Sequence, residues 1–335
     1  MINRLCILSI LMYFMAGACQ NKQNSEDGSA SLILEKPPFA AITDSIGQFP
    51  KNASLYLRRG ELLSQTNNHQ LAFFDYQKAW HLDPREQTGF IFSSNLSILG
   101  MNKERLNLLN DCIKKFPDNP DFKRLLGETY AELGQTKQAL DLYQSMLNLD
   151  SADFETWYEK GLLMESMADT PAAIIALNKA YTLKPLNLYA LELAHLYAET
   201  GNNEALSICD NIIQEDRMRE LVDPFFIKGI YFSNTGRYPD AITQFDSCIR
   251  RDWKYTDAYI EKGIALFKQK EYAEALAIFR LASTVSNTNP DAYFWAGRCY
   301  EMLKKNDDAV LNYKRALALD RSFTEAREAL NKLRP

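Results

Sequence analysis

TDAYIEKGIALFKQKEYAEALAIFRLASTVSNTN, residues 256–289, is followed directly by PDAYFWAGRCYEMLKKNDDAVLNYKRALALDRSF, residues 290–323. Superposed, the stretches place Tyr259 on Tyr293, Gly263 on Gly297, Ala275 on Ala309, Phe279 on Tyr313 and Ala282 on Ala316, each pair 34 residues apart. A fixed period of this length marks a repeat architecture in which each repeat is one supersecondary element. Each copy carries two apolar stripes at helical spacing around a short polar turn. Tyr259, Gly263 and Leu266 line the first helix; Ala275, Phe279 and Ala282 line the second. Glycine inside a helix costs about 1 kcal/mol relative to alanine. Its recurrence therefore needs a packing reason, and Gly263 is expected to let Ala275 of the second helix approach closely. One hairpin cannot bury both its faces, so the hairpins must stack into a solenoid.

Working outward, Gly60, Gly127, Gly161 and Gly229 extend the register of Gly263 and Gly297 at one or two repeat lengths, to within a residue. Eight repeats follow: 53–86, 87–119, 120–153, 154–187, 188–221, 222–255, 256–289 and 290–323. The second is degenerate, with Ser94 where glycine is expected and Leu106 where alanine is. The fifth has Ala194 for glycine. The order of aromatic, small residue, aromatic, Ala, aromatic, Ala, often Pro, resembles the tetratricopeptide repeat over 53–323. The resemblance implies an all-α, right-handed superhelical solenoid of about eight helical hairpins. Residues 324–335 read as a C-terminal capping helix that seals the stack with Phe323, Ala326 and Leu330. Residues 39–52 read as an N-terminal half-repeat, because 46–52 echo 113–119.

The first 18 residues read as a secretory signal. Arg4 is a lone positive charge, 5–15 are almost wholly apolar, and 16–18 are small residues. The segment 16–19 is similar to the lipobox of bacterial lipoproteins, with Ala16 where that pattern has Leu. The resemblance implies lipidation of Cys19, a membrane attachment through that lipid, and, with Gln20 next in line, the outer membrane. The alternative is an incidental cysteine in a cleavage region. Residues 19–38 are polar and read as a flexible tether.

The chain has 335 residues, with 38 Lys and Arg against 43 Asp and Glu, a net charge of −5. That balance lacks the basic stripe that nucleic-acid binding needs. Three histidines, His69, His81 and His195, leave little material for acid–base or metal chemistry, and there is no Ser/His/Asp grouping, HExxH or phosphate loop. The chain is expected to be non-catalytic, with no cofactor and no metal. Cys112, Cys209, Cys248 and Cys299 lie within helical repeats without CxxC spacing and are expected as small buried hydrophobes. Asp121, Glu155, Asp223, Asp257 and Asp291 start first helices, where an acid caps free N–H groups and offsets the helix dipole.

In tetratricopeptide repeats the first helices line a concave groove that takes extended peptides or partner helices. The resemblance therefore points to Tyr158, Leu162, His195, Phe226, Ile230, Ile260, Ile264, Phe294 and Arg298 as a partner-binding groove, acidic in the middle and apolar towards its C-terminal end. Packing between neighbouring repeats is the other reading of Phe226, Ile260 and Phe294. The Lys/Asn/Arg cluster of chaperone-binding members is absent: Arg124 stands nearly alone among Leu57, Glu61, Ile91 and Asn95. The expectation is a scaffold or adaptor for proteins of the bacterial envelope. Alternatives are a glycan- or small-molecule-binding solenoid and an accessory assembly factor of a secretion, pilus or outer-membrane machine.

Overall fold

The computed structural model describes residues 33–218 and 220–333; Cys19 and the signal segment lie outside these residues. Eighteen helices and no strand occur among the described residues. They fall into two compact units divided after Asn148. The N-terminal unit opens with α1 (Ala40–Gln48). Three hairpins follow: α2 (Ala53–Gln65) with α3 (His69–Leu82), α4 (Glu86–Ile98) with α5 (Asn102–Lys115), and α6 (Asp121–Glu132) with α7 (Thr136–Leu149). The C-terminal unit holds five: α8 (Phe154–Ser166) with α9 (Thr170–Leu183), α10 (Asn187–Glu199) with α11 (Glu204–Glu215), α12 (Asp223–Asn234) with α13 (Tyr238–Arg251), α14 (Thr256–Lys268) with α15 (Tyr272–Val285), and α16 (Pro290–Met302) with α17 (Asn306–Leu319). It closes with α18 (Thr324–Leu333).

Every hairpin turns in the same way. One residue per turn has positive φ: Asn67, Gly100, Gly134, Ala168, Gly201, Gly236, Lys270 and Lys304, at steps of 33 to 35 residues. At each, its own N–H donates to the carbonyl three residues back, and the next N–H donates to the carbonyl five back, as in Asn67 to Ser64 and Asn68 to Leu63. These are Schellman closures, which satisfy the last carbonyls of a helix. Left-handed backbone is free for glycine and strained for side chains with a Cβ. The turns at Ala168, Lys270 and Lys304 hold that strain because both closing hydrogen bonds depend on it.

A second periodic bond joins each affected repeat to the turn before it. Tyr56 Oη donates to Pro50 O at 3.1 Å, Trp157 Nε1 to Ser151 O at 3.0 Å, Tyr259 Oη to Trp253 O at 3.1 Å, and Tyr293 Oη to Asn287 O at 3.3 Å. Each spans six residues. The aromatic near the start of the repeat thus has a polar task besides packing. Tyr259→Phe should cost about 1 kcal/mol, the net worth of one such bond, since the ring stays in place. Denaturant midpoints of Tyr259→Phe and Tyr293→Phe check this; unchanged midpoints would mean that water serves both groups equally well.

Five of the six register glycines make room for a ring, and Gly161 for Leu177; none makes room for alanine. An ideal Cβ on Gly263 would lie 2.5 Å from Cε1 of Phe279. The expected partner, Ala275, is buried elsewhere in the same core. The spacing repeats: Gly60 faces Tyr76, Gly127 faces Tyr143, Gly229 faces Phe245 and Gly297 faces Tyr313, always 16 residues on. The aromatic of the second helix therefore lies against the backbone of the first.

The degenerate second repeat differs from its sequence reading by one residue. The buried small position is Ser93, not Ser94, and the alanine position is held by Arg105, not Leu106. Arg105 is 3% exposed. Its Nε donates to Ser93 Oγ, and its terminal nitrogens donate to the carboxylates of Glu128 and Glu132 on α6. A buried guanidinium needs partners for its donors, and here each of its three nitrogens has at least one.

Both ends pack on the repeats next to them. Phe39, just before α1, is buried in the core that also holds Leu63, Tyr76 and Phe92. Ala326 and Leu330 of α18 join the core of the last two repeats, with Phe323 partly buried against it. The four cysteines of the repeats are buried and free. Burial pushes each thiol up to about 12, so none is a thiolate at neutral pH.

Candidate partner-binding face

The five first helices of the C-terminal unit, α8, α10, α12, α14 and α16, carry all nine groove residues named from sequence. Stacking treats them differently. Tyr158, Leu162, Phe226, Ile230 and Ile264 are half-buried. Tyr158 lies with its ring 4.7 Å from that of Tyr189, and Phe226 rests on Phe245 and Tyr255 at 5.8 and 5.3 Å. These side chains are seated on the core and keep one side open. Ile260 and Phe294 are instead 7% and 6% exposed. Phe294 packs on Phe323 and Tyr313, at 4.9 and 5.9 Å. Packing, the alternative raised for them from sequence, accounts for both, and they offer a partner almost no surface.

His195 and Arg298 are the polar members. His195 Nε2 lies 3.9 Å from Glu199, with side chains 34% and 51% exposed. Arg298 lies 3.9 Å from Glu301 and sits over the ring of Phe267. Around His195 the face is acidic. Glu165 is raised from the ordinary carboxylate range, first by burial, then by the charge of Glu192, while His195 offsets part of this. Burial and the nearby Glu192 and Glu159 push the Tyr158 hydroxyl up to about 12. Tyr158, Glu165, Glu192, His195 and Glu199 thus form one neighbourhood across α8 and α10. A second acidic point is Glu261, raised to about 7 by burial and by the charges of Asp257 and Asp291.

Two of the five cations of this layer are tied to second helices. Lys228 of α12 pairs with Asp210 of α11, and Lys262 of α14 pairs with Asp246 of α13. The two lysines are 34 residues apart, so this is a repeat feature: a first-helix lysine tied to the second helix of the preceding repeat. Overall the five first helices carry ten carboxylates against five Lys or Arg, and the five second helices eight against six.

The first-turn acids have a narrower role than expected. Asp121, Glu155, Asp223, Asp257 and Asp291 stand inside the first turn, where they face the helix dipole. Where a side chain meets the free N–H groups it is a neighbour: Asn119 accepts from Asp121 N, Asp153 from Thr156 N, and Asn289 from Asp291 N and Ala292 N. Among the described residues no group of three His, Cys, Asp or Glu side chains is placed to hold a metal ion.

Models of the tetratricopeptide repeat match residues 106–156, 228–287 and 266–333, so those segments are tetratricopeptide repeats. The structure is similar to the crystal structure of a tetratricopeptide repeat protein from Parabacteroides merdae, with 19% identity and a TM-score of 0.61 over 74% of this chain and 98% of that one. It is similar to a chain of the APC/C hetero-tetramer Cut9–Hcn1, with 17% identity and a TM-score of 0.56 over 87% of this chain and 57% of that one. It is also similar to PilW, a type IV pilus biogenesis factor, with 14% identity and a TM-score of 0.54 over 63% of this chain and 97% of that one. Among curated proteins none matches. At these identities the likeness concerns the fold: stacked helical hairpins of the tetratricopeptide kind.

Proposed function

We propose that this chain is a non-catalytic adaptor of the bacterial cell envelope that holds partner proteins on the first-helix face of its C-terminal unit. One observation carries the reading. Tyr158, Leu162, Leu191, Phe226 and Ile230, on three successive first helices, are apolar side chains that stacking leaves half open. Aromatic and aliphatic anchors on a rigid surface are what partner segments bury against. Stacked hairpins hold such anchors in a fixed row, so little ordering is left to be done on binding. The envelope part rests on the sequence alone, on Arg4, the apolar run 5–15 and Cys19. A lipid at Cys19 would keep a bound partner near the membrane and raise its effective concentration there.

Photo-crosslinking in cells tests both parts. A photoreactive residue at Leu162 or Ile230 is expected to give one discrete adduct from the membrane fraction. The same residue at Ile175, exposed on α9, is expected to give none. Equal labelling from all three positions would remove the first-helix face as the binding surface. Adducts found only in the soluble fraction would remove the envelope assignment.

A further inference from the structure

The half-open strip accepts apolar side chains of any partner; charge selects among them. Tyr158 and Leu162 of α8 border Glu165, Glu192 and Glu199, whose charges act on one another across α8 and α10. Among the described residues neither Glu165 nor Glu192 has a Lys or Arg in ion-pair range, and Glu199 has only His195. Lys160, the one lysine of α8, lies over the ring of Trp157, and Lys228 of α12 is committed to Asp210 on a second helix. Folding has therefore gathered like charges beside apolar surface and spent the opposite charges elsewhere. A partly desolvated carboxylate favours an arriving cation and disfavours an arriving anion, because both terms grow as water is excluded.

We propose that the α8–α10 part of the first-helix face receives a Lys- or Arg-bearing amphipathic segment of a partner protein, with an apolar side chain on Tyr158 and Leu162 and its cations facing Glu165, Glu192 and Glu199. The inference rests on the docking face proposed above and names the chemistry that fits it. It also fixes the sign of the selectivity: acidic segments are rejected by like-charge contact.

The test uses the full chain and two fluorescent synthetic helical peptides of about 15 residues, long enough to span two first helices about 10 Å apart. One carries Leu on one face and Lys on the other; in its counterpart each Lys is Glu. Fluorescence anisotropy is expected to detect binding of the Lys peptide only. The triple variant Glu165→Gln, Glu192→Gln, Glu199→Gln should weaken that binding at least about tenfold, and added NaCl should weaken native binding in the same direction. A control triple variant, Glu274→Gln, Asp307→Asn, Asp308→Asn, removes the same charge from second helices and should change affinity less than about twofold. All six positions are at or near the surface, so the variants keep the core intact; matching unfolding midpoints confirm it. Equal loss in both triple variants, or equal binding of the Glu peptide, overturns the inference. Adducts from Leu162 that persist unchanged in the first triple variant would overturn it while leaving the docking face standing. Absence of any adduct from Leu162 and Ile230 would instead bring down the docking face itself.

Discussion

Gly263→Leu should destabilise the C-terminal unit by about 3 kcal/mol, the upper end of what overpacking a well-filled core costs. The first atom of any side chain would meet the ring of Phe279 at 2.5 Å, closer than any real contact. Phe279 cannot yield, since it is fully buried and stacks on Trp295 with ring centroids 6.0 Å apart. Gly263→Ala should already show part of the loss, although alanine is the better helix former by about 1 kcal/mol. Denaturant unfolding followed by hydrogen exchange across α14 and α15 would locate the damage, because each repeat depends mainly on its neighbours. An alanine variant as stable as the native chain would show that the ring and backbone are further apart than described.

The pair Glu128→Ala with Glu132→Ala should cost the N-terminal unit about 3 to 5 kcal/mol, the range found when a buried ion pair loses one partner. Neither glutamate is itself deeply buried, so little is lost on their own account. The penalty falls on Arg105, which is 3% exposed with both glutamates in place and would keep Ser93 as its only side-chain partner. Arg105→Met, which removes the charge and retains most of the volume, should cost less than the double glutamate variant. That ordering is the sign of an unpaired buried cation, and the reverse ordering would count against it. Thermal unfolding of the three variants under one set of conditions supplies the comparison.

The same arginine shows where sequence reading loses its grip. The hairpin register was legible because glycine, aromatic and alanine recur at fixed steps, and close packing demands those sizes. Arg105 breaks the size rule at the alanine position. A charged side chain reads as exposed unless its counter-charges are known, and these lie 23 and 27 residues further on. The size pattern therefore points one residue too far, to Ser94 and Leu106. Gly263 reads as a packing site for Ala275, because periodicity gives the face of a helix without giving the reach of a ring. The candidate binding face was legible only as a helix face. Tyr158 and Phe294 hold the same place in their repeats. One stays half open, and the other is buried because Phe323 closes over it. Which neighbour closes over which position is decided by side chains from the next hairpin, and a single repeat does not contain them.

The tyrosine bonds place the boundary of the physical module. Tyr259 reaches back to the carbonyl of Trp253, and Tyr293 to that of Asn287. A segment cut as the sequence repeats, at 256 and 289, strands the first hydroxyl and carries away an acceptor that belongs to its successor. A segment from 253 to 286 keeps its own bond and leaves the next one whole. The transferable block thus has the length of the sequence period but runs three residues ahead of it. A duplication, deletion or graft made in that phase passes a complete latch from one neighbour to the next.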